Sequence, residues 1–214
     1  AEEMGIISSI SIFVLNAACV ECAKWPNGIS VSVNLSAKDF RNQDIIQQVR
    51  LALKNSGLAP QRLELEVTET ALLDDKSLTA SYIEELKTIG VRIALDDFGT
   101  GYSSLSYLHR LPLNKVKIDR SFVLDLGYNN RSLELLKNVV TLCRALGLSV
   151  TIEGVETFEQ LKLLSLYVKP DLAQGFLFGS ALSAHGIETM STIVWHFDKE
   201  VSGALRSIPQ YSKR

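Results

Sequence analysis

Six short segments of this chain alternate apolar and polar residues with a period of two, and longer segments with helical spacing separate them. Ile29–Asn34 sets Ile29, Val31 and Val33 against Ser30, Ser32 and Asn34. Leu63–Glu69 sets Leu63, Leu65 and Val67 against Glu64, Glu66 and Thr68. Val91–Asp96, Lys115–Asp119 and Leu148–Glu153 repeat the pattern, and Leu172–Gln174 is a sixth, shorter strand meeting Gly175. Between them the spacing predicts helices over Asp44–Ser56, stopped by Gly57, and over Leu78–Ile89, ended by Gly90. Further helices are expected over Ser104–Arg110, over Ser132–Leu146 and over Phe158–Tyr167. A helix over Ile6–Lys24 precedes the first strand, one over Ile187–His196 follows the last, and a polar tail begins at Ser207.

Strands alternating with helices, strand starts roughly two to three dozen residues apart, read as successive βα units and a parallel sheet. An open doubly wound sheet is covered on both faces, and its strands are apolar throughout. Here each strand keeps one polar face. The lumen of a βα barrel accommodates such a face; an open sheet with one solvated face is the alternative. The expected fold is therefore α/β, a modified (β/α)8 TIM-like barrel. Such a barrel has eight strands, and six are visible. The first helix starts without a capping residue, so the chain is expected to begin part-way into its domain. That domain is expected to run over residues 1–206, with 207–214 as the tail.

In a parallel barrel all C-terminal strand ends lie on one rim, where βα loops build active sites. Here those ends carry Asn34, Glu66, Asp96, the Lys117/Asp119 pair, Glu153 and Gln174. The centre is Ile93–Ser104, I-A-L-D-D-F-G-T-G-Y-S-S. An apolar strand delivers Asp96 and Asp97 into a loop that Gly99 and Gly101 allow to turn tightly. Carboxylates and an amide oxygen are hard donors, suited to Mg²⁺ or Mn²⁺ rather than zinc. Unneutralised, such a ring would repel an anionic substrate; bound metal makes phosphate attractive there. One or two ions could polarise a phosphoryl oxygen and lower the pKa of a water. Lys117 could stabilise developing charge, and Glu153 could act as general base. For Glu69, Asp119 and Glu156 a structural role and a chemical one both remain open.

Other chemistries are excluded. The net charge is −2, with no basic field for a nucleic-acid duplex. His109, His185 and His196 fall at no strand end. Cys19 and Cys22 form one C-x-x-C with no second pair, and with Cys143 they read as small buried side chains. Three cysteines cannot build a disulfide framework, so a reducing cytoplasm is expected. No uninterrupted apolar stretch of membrane-spanning length and no signal-peptide layout is evident. Asp97-Phe98-Gly99 spells a kinase triplet, but the other kinase motifs are missing; Gly99-Thr100-Gly101 lacks the Walker lysine.

The motifs S-V-N-L-S-A (32–37), L-E-L-E-V-T-E-T (63–70), D-D-F-G-T-G-Y-S-S-L (96–105), V-K-I-D-R-S-F-V (116–123), E-G-V-E-T (153–157) and Q-G-F-L-F-G (174–179) occur in this order. In them the chain resembles the EAL domain, the bacterial cyclic di-GMP phosphodiesterase. The resemblance implies hydrolysis of cyclic di-GMP to linear pGpG with Mg²⁺ or Mn²⁺, in a homodimer, beside flanking sensor or GGDEF domains. By that resemblance Asn34, Glu66, Asp96 and Asp97 are metal ligands, with Asp119 beside the metals. Lys117 contacts the attacking water, Glu153 is the general base, and Gln174 with Gly175 meets the substrate. Glu69 holds the loop through Gly99, Thr100 and Gly101, which is similar to the family's control and dimerisation loop. Three departures stand out. The E-A-L signature, with its metal-ligand glutamate, is expected upstream of Ala1. Ser180 and Ala181 replace a basic residue and a proline, and Ile152 replaces a small alanine. A cyclic di-GMP receptor without catalysis is the alternative function.

Overall fold

The computed structural model describes residues 6–187, apart from Asn27, 42–43, 74–75, 102–104, 127–129 and His185. Its centre is a six-stranded sheet in sequence order, every neighbouring pair parallel. The strands are β1 (Val31–Leu35), β2 (Leu63–Thr68), β3 (Arg92–Phe98), β4 (Lys115–Ile118), β5 (Ser149–Ile152) and β6 (Leu172–Ala173). The longer helices are α1 (Ile7–Lys24), α3 (Ile45–Ser56), α5 (Lys76–Ile89) and α8 (Asn130–Ala145), and a six-residue α9 (Phe158–Leu163) follows β5. Each longer helix after α1 fills a crossover between consecutive strands or leads into the next one, as parallel strands require.

Period-two alternation sends one set of strand side chains outward. Val33, Leu65, Val67, Ile93, Val116, Ile118, Val150 and Ile152 are buried in one core with Val49, Ile83, Leu86, Leu136 and Val140 of the helices. Each such side chain contributes about 1.5–3 kcal/mol by leaving water, so this layer holds the helices on the sheet. Two local devices fix the ends. Thr157 and Gln160 form a reciprocal capping box that starts α9. Arg62 donates to the carbonyls of Cys22 (2.7 Å), Trp25 (3.2 Å) and Ile29 (2.8 Å), tying the end of α1 to the start of β2.

The structure departs from the expected elements in identifiable places. Short helices α2 (Ala37–Arg41), α4 (Glu69–Leu73), α6 (Leu105–Arg110) and α7 (Ser121–Leu124) follow β1, β2, β3 and β4. Only α6 was legible, because four or five residues complete too little of a turn repeat to show a period. Glu69 is thus the first residue of α4 rather than the last of β2, where an acid complements the helix N-terminus. β3 continues through Asp97 and Phe98 instead of ending at Asp96. The helix after β5 stops at Leu163 and passes into a wider π turn over Leu164–Val168. Residues 188–196 of the expected last helix and the 207–214 tail lie outside the described residues.

The apolar run of α1 is interrupted by Ser8, Ser9, Ser11, Asn16 and Glu21. Its 18 residues, with mean hydropathy 1.4, would by length and composition admit a membrane span. In this fold Leu15, Cys19 and Cys22 on one of its faces are buried in the core. Cys19, Cys22 and Cys143 are all fully buried free thiols, as their helical setting implied, and burial pushes Cys19 and Cys143 up to about 11.

Candidate functional site

The polar faces of the strands converge at their C-terminal ends. Lys117 of β4 is the point of convergence. Its ammonium lies 2.7 Å from Glu66 of β2, 2.9 Å from Asp96 of β3 and 2.7 Å from Glu153, just past β5. Adjacent strands sit about 4.8 Å apart, so contact with partners on both sides and two strands away requires these side chains to lean into one concave space. Lys117 is 6% exposed, and Glu66 and Asp96 are buried beside it. Burial alone would lower the lysine pKa, but the Glu153, Glu66 and Asp96 contacts outweigh it and push it well above the ordinary lysine range. Three carboxylates within 2.9 Å thus favour the charged form of Lys117 inside the site.

The carboxylates outnumber it. Oxygens of Asp96, Asp97 and Glu153 all lie within 4.8 Å of one another. Alternation should send the neighbours Asp96 and Asp97 to opposite faces. A register shift between Leu95 and Phe98 and a left-handed backbone at Asp97 (φ 54°) overcome this. A bulge re-aims a side chain in this way, and the left-handed residue costs about 1–2 kcal/mol. The turn that follows is held by Thr100, whose N–H and hydroxyl both donate to the Asp97 carbonyl.

Electrostatics records the crowding. Burial and then the charges of Asp96 and Asp119 raise the Asp97 pKa, against the pull of Lys117. Burial also raises Glu153; Lys117 pulls it back, and Asp96 and Glu66 push it up again. Asp119 differs. Burial pushes it up, but hydrogen bonds from Ser121 and the backbone, with the Arg120 charge, bring it below the usual carboxylate range. The Ser121 N–H donates to it at 2.9 Å.

This donor set fits a hard divalent cation. Every candidate ligand is an oxygen, and three carboxylates share one locus. Asp96 Oδ1 is sealed from solvent and, among the described residues, has no properly directed hydrogen-bond donor, although Lys117 Nζ stands at 2.9 Å. A cation would relieve that oxygen and the Asp97–Glu153 crowding together. Both acids have raised folded-state pKa values, so ionising them destabilises the fold as pH rises through those values. Saturating Mn²⁺ is accordingly expected to raise Tm, more at pH 7.5 than at pH 5, where protons compete. At a hundredfold excess over Kd the gain is about 2.7 kcal/mol, read by thermal melts with and without chelator.

The other expected residues are placed less centrally. Asn34 pairs in register with Glu66 but is exposed. Gln174 follows β6 and is exposed; its N–H donates to the Ile152 carbonyl and its carbonyl accepts from Val155. Glu156 is exposed, its N–H bonded to Gln160. Glu69 is 6% exposed, and its Oε2 stands 3.5 Å from where a Cβ on Gly101 would lie, so it does approach the loop. Gly99 has φ +101°, and a Cβ there would fall 2.2 Å from the Phe122 ring; Gly101 has no such backbone requirement. Tyr102 to Ser104 lie outside the described residues. His109 is exposed at the end of α6.

Gly175 shows a constraint the sequence did not. A Cβ there would meet the Val155 carbonyl oxygen at 2.1 Å and its nitrogen at 2.4 Å. Backbone cannot swing aside as a side chain can. Gly175→Ala is expected to cost at least about 1–3 kcal/mol, or about 2–4 °C of Tm per kcal/mol. A melt within 1 °C of the parent, on the order of experimental error, would show that the turn yields.

The EAL domain model matches residues 1–181. The chain belongs to the EAL domain family. A curated relative, the cyclic di-GMP phosphodiesterase NbdA of Pseudomonas aeruginosa, is 38% identical over 214 residues, covering 98% of this chain and 27% of the relative. The EAL chain spans about a quarter of the length of the curated relatives it matches first. Among solved structures, the PaMucR phosphodiesterase in complex with c-di-GMP superposes with a TM-score of 0.81 at 39% identity, covering 87% of this chain and 77% of that one. Klebsiella pneumoniae BlrP1, a manganese/cy-diGMP complex, gives 0.76 at 30% identity, covering 82% and 45%. The fold is thus the TIM-barrel-like one of EAL domains, and the parallel α/β architecture expected from the strand pattern is borne out.

Proposed function

We propose that this EAL domain hydrolyses cyclic di-GMP to linear pGpG with Mg²⁺ or Mn²⁺. The observation that carries the reading is Lys117, shared among Glu66, Asp96 and Glu153 beside the three-carboxylate locus of Asp96, Asp97 and Glu153. The relatives' names and ligands support it.

Glu66, Asp96 and Asp97 would hold the ions, with Asn34 and Asp119 at the margin. When bound, the ions supply charge to offset the phosphodiester and the developing oxyanion. Glu153 takes the proton of the water that attacks phosphorus. The bond from phosphorus to the ribose 3′-oxygen breaks, that oxygen takes a proton from solvent water, and Glu153 returns its own proton to solvent. Lys117 holds Glu153 in place and keeps a fixed positive charge next to the attack. Gln174 and Gly175 are assigned to substrate, and Glu69 to holding the loop of Gly99, Thr100 and Gly101. Glu156 is assigned to the loop after β5. The partners proposed are a second copy of the chain and flanking sensor or GGDEF domains, and the proposed location is cytoplasmic.

Chromatography of full-length protein incubated with cyclic di-GMP and Mg²⁺ or Mn²⁺ tests the reading, with pGpG as the expected product. Binding without turnover under either metal would make the domain a cyclic di-GMP receptor instead, a state that Lys117 could sustain by neutralising the ring without metal.

A further inference from the structure

Beneath the rim lies a second ion pair that the proposed reaction does not use. Glu64 is 4% exposed; it accepts from Lys115 Nζ at 2.6 Å and from Ser32 Oγ at 3.2 Å. Glu64 stands two residues before Glu66 on β2, and Lys115 two before Lys117 on β4. Two ion pairs, Glu64–Lys115 and Glu66–Lys117, therefore cross from β2 to β4, one layer above the other. On the strand between them the small Ala94 stands opposite Glu66 in one register and opposite Lys115 in the other, while Arg92, in register with Glu64, is exposed and leaves the crossing open.

Two residues along a strand span about 6.6–6.8 Å, and a lysine carries its charge on a flexible four-carbon stem. Lys117 thus has two carboxylate destinations within its swing: the rim, and Glu64 one layer down. Lys115 fills the second. We propose that Glu64 and Lys115 are positioning residues, whose pairing with each other keeps the Lys117 ammonium at the rim beside Glu153. Each is satisfied by the other, so neither competes for the groups above. The kinetic readout of this inference rests on the phosphodiesterase reading; its metal-binding readout does not.

The test is a double-mutant cycle in the full-length protein with Lys115→Met, Glu64→Gln and both together. Two quantities are measured: kcat for cyclic di-GMP, and the Kd for Mn²⁺ without nucleotide, by electron paramagnetic resonance. In Lys115→Met, Glu64 keeps the Ser32 hydroxyl but loses its cation and draws Lys117 downward, so kcat falls about tenfold. The carboxylates above lose their internal cation, so Mn²⁺ binds severalfold tighter. A merely structural loosening would weaken both. In Glu64→Gln, the freed Lys115 competes for Glu66 and kcat again falls. The double variant leaves no stray charge and returns both quantities to within about threefold of the parent.

Unchanged kcat in folded single variants, or a double variant no better than the worse single, overturns the proposal. So does Mn²⁺ binding that weakens together with kcat in Lys115→Met. If Lys115→Met does not fold, Glu64→Gln against the double variant decides by the same criterion. If the unaltered protein turns over no cyclic di-GMP, the phosphodiesterase reading fails on its own. The Mn²⁺ cycle then stands alone: tightening in Lys115→Met that is reversed in the double variant supports the positioning role, and additive changes overturn it.

Discussion

Glu153→Gln is expected to lower turnover of cyclic di-GMP by about 10²–10⁴-fold, with little change in stability. The substitution keeps shape and one carbonyl oxygen but removes the only basic lone pair proposed to accept the water's proton. Its structural cost is small for a reason visible in the site. Glu153 gives up its attraction to Lys117, 2.7 Å away, but also its repulsion from Asp96 and Glu66. Lys117 retains Glu66 and Asp96 as partners. Single-turnover kinetics with saturating Mn²⁺ separates a lost chemical step from lost binding. A variant as fast as the parent would remove Glu153 from the base role and leave Asp97 or Asp119 to be tested for it.

Lys117→Met is expected to be costly in a different way. It removes the cation common to three carboxylates at a position 6% exposed. Breaking a buried pair by deleting one partner costs about 3–5 kcal/mol, because the charges left behind stay out of water. At about 2–4 °C per kcal/mol for a domain of this size, Tm falls by about 6–20 °C in metal-free protein. Divalent ions recover part of that loss by taking over the neutralisation, while kcat stays low because Glu153 loses the group that holds it. Melts with and without Mn²⁺, read alongside kcat, make the comparison. Equal Tm values for parent and variant in chelator would show that the carboxylates take up protons instead.

Much of the fold was legible because it depends on local periodicity. Leu63, Leu65 and Val67 against Glu64, Glu66 and Thr68 already separate a helix-facing side from a lumen-facing one, and the parallel pairs follow that assignment. The rim was legible for the same reason, since the last inward residue of a strand is known once its phase is known. What escaped was short or non-local. The helices α2, α4 and α7 are too brief to display a period. The crossing of Glu64 to Lys115 over Ala94 joins residues 51 apart in sequence, and no local pattern encodes it.

By itself, then, the sequence determined which strand faces are polar, in what order the strands follow, and which acids and amides end them. The tertiary structure decided which of these meet. It turned Asp97 back toward Asp96 through a register shift that alternation forbids in a regular strand. It placed one ammonium among carboxylates from three other strand ends. The physical reason is that periodicity sets direction residue by residue, whereas distance across a concave sheet is set by the packing of all the helices behind it.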